Sequence, residues 1–161
     1  MMGIRVEEEI ATLLRAHGLT IAISESASGG LISHLITNVP GSSNYFRGAV
    51  VAYDNEMKVE LLGVSRETLA RYGAVSRQAG EEMAQGVRRL MGADIGLSNT
   101  GVAGPTGATS GKPVGLFHIG ISSAFDTSVV EHVFGGDRLQ NKRSVAEMSL
   151  TMLKEHLLRL V

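Results

Sequence analysis

The residues whose types and spacing could do chemistry lie in one stretch, Gly41 to Lys58, which reads Gly-Ser-Ser-Asn-Tyr-Phe-Arg-Gly-Ala-Val-Val-Ala-Tyr-Asp-Asn-Glu-Met-Lys. It holds a serine pair just after Pro40, an apolar run, and then Tyr53 and Lys58 five residues apart. A hydroxyl, a phenol and an amine are the parts of a Ser–Lys nucleophilic site, in which a desolvated lysine acts as base. Ser43 precedes the apolar run, which reads as a buried strand, and Lys58 falls one turn into the next helix. A strand of about six residues covers roughly 20 Å, so Ser43 reaches Lys58 only if the segment before the strand folds back along it. The plainer reading makes Ser43 a cap, Tyr53 a core residue and Lys58 a solvated cation. Catalysis instead requires Lys58 to be buried enough to be neutral near pH 7.

A second stretch, Glu25-Ser26-Ala27-Ser28-Gly29-Gly30, lies between a short apolar segment and a helix-patterned one, Leu31, Ile32, Leu35 and Ile36. Strand, small-residue turn and helix in succession make a potential anion site, because a helix N-terminus offers free N–H groups and a positive dipole end. The alternative is an N-cap with glycines for tight packing. The stretch is neither a P-loop nor a dinucleotide fingerprint, since no Gly-Lys-Ser/Thr follows and the glycine spacing differs. The third stretch, Thr100 to Pro113, is a glycine-rich loop after an apolar segment, a position where α/β proteins place ligands. Asp137 and Arg138 open the last helix, and Arg138 is a candidate phosphate ligand.

The elements that must position these residues follow from periodicity. Val6, Ile10, Leu13 and Leu14 predict an amphipathic first helix stopped by Gly18. Leu19–Ser24 and Asp94–Asn99 read as buried strands, and Asn55–Leu62 as a short helix ended by Gly63. Ser65 starts another short helix, stopped at Tyr72-Gly73. Ser76 caps a long helix with Ala79, Met83, Val87, Leu90 and Met91 on one face. Val114–Ser123 and Thr127–Phe134 form a hairpin, and a terminal helix buries Val145, Met148, Met152, Leu157 and Leu160. Interleaved helices and strands with a late hairpin predict a three-layer α/β/α sandwich around a mixed, mostly parallel sheet of about five strands.

Composition narrows the function classes. A chain of 161 residues fits a single domain, residues 1–161. Net charge is −1 and aromatic residues make up 4%, so neither nucleic acid nor an anionic membrane finds an electrostatic footprint. The absence of cysteine removes disulfides, thiolate catalysis and Cys-based zinc sites. The five histidines are scattered without His-Glu-x-x-His spacing, so no metal site is expected. No apolar signal segment or membrane-length run occurs, and a cytoplasmic location is expected.

Taken together, Glu25-Ser26-x-Ser28-Gly29-Gly30, Pro40-Gly41-Ser42-Ser43, Tyr53-x-Asn55-x-x-Lys58, Gly73-Ala74-Val75-Ser76, Thr100-Gly101-x-Ala103-Gly104-Pro105, Lys112-Pro113-Val114-Gly115 and Gly136-Asp137-Arg138 resemble the CinA C-terminal domain family, which includes PncC-like nicotinamide-nucleotide amidases. The resemblance runs from about residue 5 to residue 158. The chain has Ala27-Ser28 where the family often has Cys-Thr, Gly107-Ala108 where it has a double glycine, and Lys142 where some members have arginine.

The resemblance implies hydrolysis of the carboxamide of nicotinamide mononucleotide (NMN) to nicotinic acid mononucleotide and ammonia, without metal or organic cofactor. It further suggests a homodimer or higher homo-oligomer. In the expected mechanism Ser43 attacks, Lys58 takes its proton, and Tyr53 relays or positions. Glu25, Ser26, Ser28, Gly29, Gly30, Thr100, Gly101 and Arg138 are the expected substrate contacts. A non-catalytic nucleotide-binding module and an amidase of another substrate are the rival functions.

Overall fold

The computed structural model describes residues 3–160. Helix α1 (Val6–His17) leads to β1 (Ile21–Glu25), α2 (Leu31–Thr37), a 3-10 turn at Ser42–Asn44, and β2 (Phe46–Val51). Helices α3 (Asn55–Leu62), α4 (Arg66–Tyr72) and α5 (Arg77–Met91) follow in series. Strands β3 (Ile95–Gly101), β4 (Leu116–Ser122) and β5 (Thr127–Val133) then precede α6 (Arg138–Arg159). The sheet order is β2-β1-β3-β4-β5. β2, β1 and β3 are parallel, while β4 and β5 join antiparallel, as the late hairpin predicts. The sheet is mixed and five-stranded, with helices on both faces.

Strand alternation assigns the two faces. Ile21 and Ile23 of β1 pack into the larger core with Ile10 and Leu14 of α1, Ile32 and Ile36 of α2, and Leu150 and Leu153 of α6. Ala22 turns the other way, toward Leu62, Met83 and Val87 beneath α3 and α5. On this second face the strands carry small residues, and α5 sits close because of them. The Ser24 and Ser98 hydroxyls donate to the carbonyls of Met83 and Gly80. A Cβ on Gly96 would stand 2.1 Å from the Ala84 carbonyl oxygen, so only glycine admits the helix at that depth.

Helix ends follow local chemistry. Asp54, Ser65, Ser76 and Asp137 each accept a hydrogen bond from a backbone N–H in the first turn of the following helix. Gly18, Gly63 and Gly92 close α1, α3 and α5 in the left-handed conformation. Two buried-face expectations fail at helix ends. Leu90 and Leu160 are exposed, because each lies in or beyond the last turn, where the layer beneath has ended. Thr100 and Gly101 belong to β3 rather than to the following loop. Among the described residues no helix is long and apolar enough to cross a membrane.

Candidate active site

β1 and β2 end side by side, and the parallel register pairs Glu25 with Val51. The chain then continues from β1 into Ser26 and from β2 into Ala52, Tyr53 and α3. Lys58 sits on the inward face of α3 and is almost fully buried, at 1% exposure. Its Nζ donates to the carbonyls of Ala52 at 2.8 Å and Tyr53 at 3.3 Å, and lies 3.2 Å from Ser26 Oγ. Burial pushes the Lys58 amine below the ordinary lysine range, and nearby Asp54 pulls the other way. A neutral amine has two N–H bonds and one lone pair. In that form the two carbonyls would take the N–H bonds and leave the lone pair for the Ser26 hydroxyl. That is the arrangement of a nucleophile with its base.

The pair opens into a cleft of about 260 Å³. Thr100 and Gly101 line one wall, the loop from Val102 to Gly107 another, and Tyr53 with Arg138 the rim. The Thr100 hydroxyl donates to the Ala74 carbonyl, which leaves its oxygen as an acceptor toward the cleft. Arg138 donates to the Gly104 carbonyl at 2.8 Å and to the Tyr53 hydroxyl at 2.9 Å, so it ties the loop to the rim. Asn141, one turn further along α6, donates to the carbonyls of Ala103 and Gly136 and accepts from the Gly136 N–H. It is fully buried and pins the same loop from below.

The structure revises the expected roles. Ser43 does not meet Lys58 within one chain. It lies exposed in the 3-10 turn before β2, while Lys58 lies beyond the other end of that strand, and no fold-back occurs. Ser26, expected among the substrate contacts, holds the place beside the amine. Tyr53 reaches Lys58 through its backbone carbonyl, whereas its phenol points to Arg138 at the rim and is 58% exposed, so the phenol does not stand between Ser43 and Lys58.

The expected anion cradle before α2 is already filled by the chain itself. Glu25 Oε2 accepts from Ser28 Oγ and from the N–H groups of Gly30 and Ile32, and Oε1 accepts from the N–H and hydroxyl of Ser33. Glu25 is fully buried and Ser28 also accepts from Asn99, so both are structural. Ser28, Gly29 and Gly30 instead border a separate recess with Lys142 and Arg143. Thr100, Gly101 and Arg138 stand where a cleft ligand would touch them.

Sequence reasoning missed Asn99, Asn141 and the Ala52 carbonyl. A polar Asn99 in an apolar strand and an Asn141 inside a helix are residues of low local propensity, and that was the available signal.

Comparison with known proteins places this geometry. Residues 4–157 match the CinA C-terminal domain. The chain belongs to that family. A CinA-like protein of Dictyoglomus thermophilum is 48% identical over 155 residues, which is 96% of this chain and 38% of that protein. A putative competence-damage inducible protein of Caldicellulosiruptor saccharolyticus is 46% identical over 150 residues, covering 93% of this chain and 36% of its own length. The chain thus spans less than two-fifths of the length of these relatives.

Among solved structures, a CinA superfamily protein from Klebsiella pneumoniae superposes with a TM-score of 0.92 at 28% identity, covering 96% of each chain. The competence/damage inducible protein CihA from Agrobacterium tumefaciens gives 0.88 at 33%, covering 95% of this chain and 96% of its own. The α/β architecture is therefore that of the CinA superfamily.

Proposed function

We propose that this CinA-family domain is an amidohydrolase whose nucleophile is Ser26 and whose base is Lys58, and that it hydrolyses the carboxamide of NMN to nicotinic acid mononucleotide and ammonia. The observation that carries the chemistry is the buried Lys58 amine, 3.2 Å from Ser26 Oγ at the floor of a cleft. The choice of NMN is supported by the sequence resemblance to nicotinamide-nucleotide amidases.

Ser26 Oγ attacks the amide carbon while Lys58 takes its proton. The C–N bond breaks as the lysine returns that proton to the leaving ammonia. Water then attacks the acyl-serine ester, again with Lys58 as base, releasing the carboxylate and restoring the serine. The Ala27 N–H follows the nucleophile and has no backbone acceptor among the described residues, so it is the proposed oxyanion donor. A cationic pyridinium in the cleft would help keep Lys58 neutral by like-charge repulsion. Arg138 retains unpaired donors at the rim for the nucleotide's phosphate.

Ammonia release from NMN by the purified protein is the direct test, with Ser26→Ala and Lys58→Ala alongside. Release by the unmodified protein and loss in both variants is expected. Release retained by Ser26→Ala but abolished in Ser43→Ala would return the nucleophile to the other end of β2. NMN binding without any release would make the domain a nucleotide-binding module.

A further inference from the structure

Helix α5 starts beside a second recess, of about 240 Å³, bordered by Val75, Ser76, Arg77, Lys112, His118 and Glu131. Val75 also lines the cleft, so the two cavities share the segment before α5 as a wall. Thr100 holds that wall from the cleft side, through its hydroxyl on the Ala74 carbonyl. His118 stands opposite Thr100 in the β3–β4 register and opposite Glu131 in the β4–β5 register, so the three form one polar row on the α5 face.

His118 is 4% exposed and only half satisfied. Its Nε2 lies 2.9 Å from the Glu131 carboxylate. A carboxylate only accepts, so Nε2 carries the proton and Nδ1 carries a lone pair. That Nδ1 is buried and has no hydrogen-bond partner among the described residues. Burial lowers the His118 pKa from its ordinary value, Glu131 opposes this, and Arg77 and Lys112 reinforce it, so the ring is held neutral. An unpaired buried acceptor calls for a donor.

The rest of the lining calls for an anion. Arg77 donates from one guanidinium nitrogen to the Val129 carbonyl, and Lys112 donates to the Tyr72 carbonyl. Neither has a carboxylate within ion-pair distance among the described residues. At the start of α5 the Ser76 hydroxyl accepts from Ala79, while the Arg77 and Gln78 N–H groups have no acceptor among the described residues. A ligand that meets both demands is negative and still carries a proton to donate. Carboxylates and sulfate carry no such proton near pH 7. Phosphate does, because its second ionisation falls near neutrality.

We propose that this recess is a phosphate-binding site, in which His118 Nδ1 accepts from the P–OH group while Arg77, Lys112 and the first N–H groups of α5 donate to the anionic oxygens. Glu131 acts by fixing the tautomer of His118. Orthophosphate and the phosphate group of a small ester share this chemistry. The site lies behind the cleft wall, apart from Arg138, and stands whether or not the domain hydrolyses NMN.

Titration calorimetry of the purified chain in phosphate-free buffer at pH 7 compares orthophosphate, sulfate and ribose 5-phosphate. Orthophosphate should bind about tenfold more tightly than sulfate, or better, because sulfate sets a lone pair against Nδ1. Ribose 5-phosphate binding as well as orthophosphate would assign the site to esters, and its exclusion would assign it to the free ion. His118→Gln keeps an N–H for Glu131 but removes Nδ1. It should weaken phosphate by about tenfold or more and bring it level with sulfate. Arg138→Gln, at the cleft rim, should leave phosphate affinity unchanged. In the unmodified protein the His118 imidazole resonances should shift as phosphate saturates, a readout that needs no variant to fold. Lack of phosphate binding at millimolar concentrations, equal affinity for phosphate and sulfate, or unmoved His118 resonances would each overturn the site. So would binding lost in Arg138→Gln but fully kept in His118→Gln.

Discussion

Glu25 and Lys58 are both buried ionisable side chains, on neighbouring segments at the same end of the sheet, yet they are treated in opposite ways. Glu25 receives hydrogen bonds from three N–H groups and two hydroxyls, so its charge is fully satisfied and its carboxylate fastens β1 to α2. Lys58 has two carbonyls and a serine, faces no carboxylate within ion-pair distance among the described residues, and is driven toward its neutral form by burial. A saturated buried charge holds structure, whereas an under-satisfied one next to a hydroxyl is a candidate for chemistry.

Substitution should separate the two. Lys58→Met is expected to lower turnover by about 10³-fold or more, since it removes base and proton donor together. Its melting temperature should hold or rise by a few degrees, because an amine costly to bury is replaced by an apolar chain of similar length. A large fall in melting temperature would make Lys58 a structural residue like Glu25. Glu25→Gln should do the reverse. It turns an amide NH₂ toward donors that need an acceptor, costing about 3 kcal/mol, or about 6–12 °C. Turnover measured well below the new melting point should fall far less than in Lys58→Met.

The pH dependence sharpens the contrast further. Protonated Lys58 cannot act as base, so kcat/KM should rise with pH through the lysine's depressed value and then level off. Stability should move in the same sense. Between the folded-state value and the ordinary lysine value the unfolded chain binds more protons, so unfolding free energy grows with pH in that window. Lys58→Met should lose that part of the slope. The smallest effect is expected at the rim. Tyr53→Phe removes the acceptor for Arg138 but leaves the Tyr53 carbonyl on Lys58, so KM should rise by a few-fold with kcat nearly kept. An equal loss in kcat would restore the phenol to the proton path.

Much of the fold was legible because its signals are local. Gly63 and Gly92 stop helices, Ser76 and Asp137 start them, and the late hairpin predicts the antiparallel half of the sheet. The candidate site was legible in its parts but not in its pairing. Lys58 and Tyr53 were singled out by type, yet what buries Lys58 comes from other segments, which spacing cannot show. The stretch Gly41–Lys58 offers serines of its own, whereas the parallel strand pair brings together residues 32 positions apart. The turn before α2 has the sequence of an anion site, and its N–H groups are real. Their acceptor, Glu25, lay in the same motif, but nothing in its spacing says that the side chain turns back onto the helix it precedes.

The hairpin turn Ser123–Asp126 is far from the cleft in the topology, since β3 runs toward the cleft and β4 runs away from it. Phe125 at its tip is 88% exposed. At the outer face of the first layer, Ile4 and Leu158 border one shallow depression, and Lys154 pairs with Glu9. The first and last helices are thus fastened to each other on the layer away from α3 and α5, and the cleft does not depend on the hairpin tip. A chain nicked at Phe125 should keep Ser26 beside Lys58. One nicked between β2 and α3 would sever the segment whose carbonyls aim the amine, and should fold with its cleft unstrung.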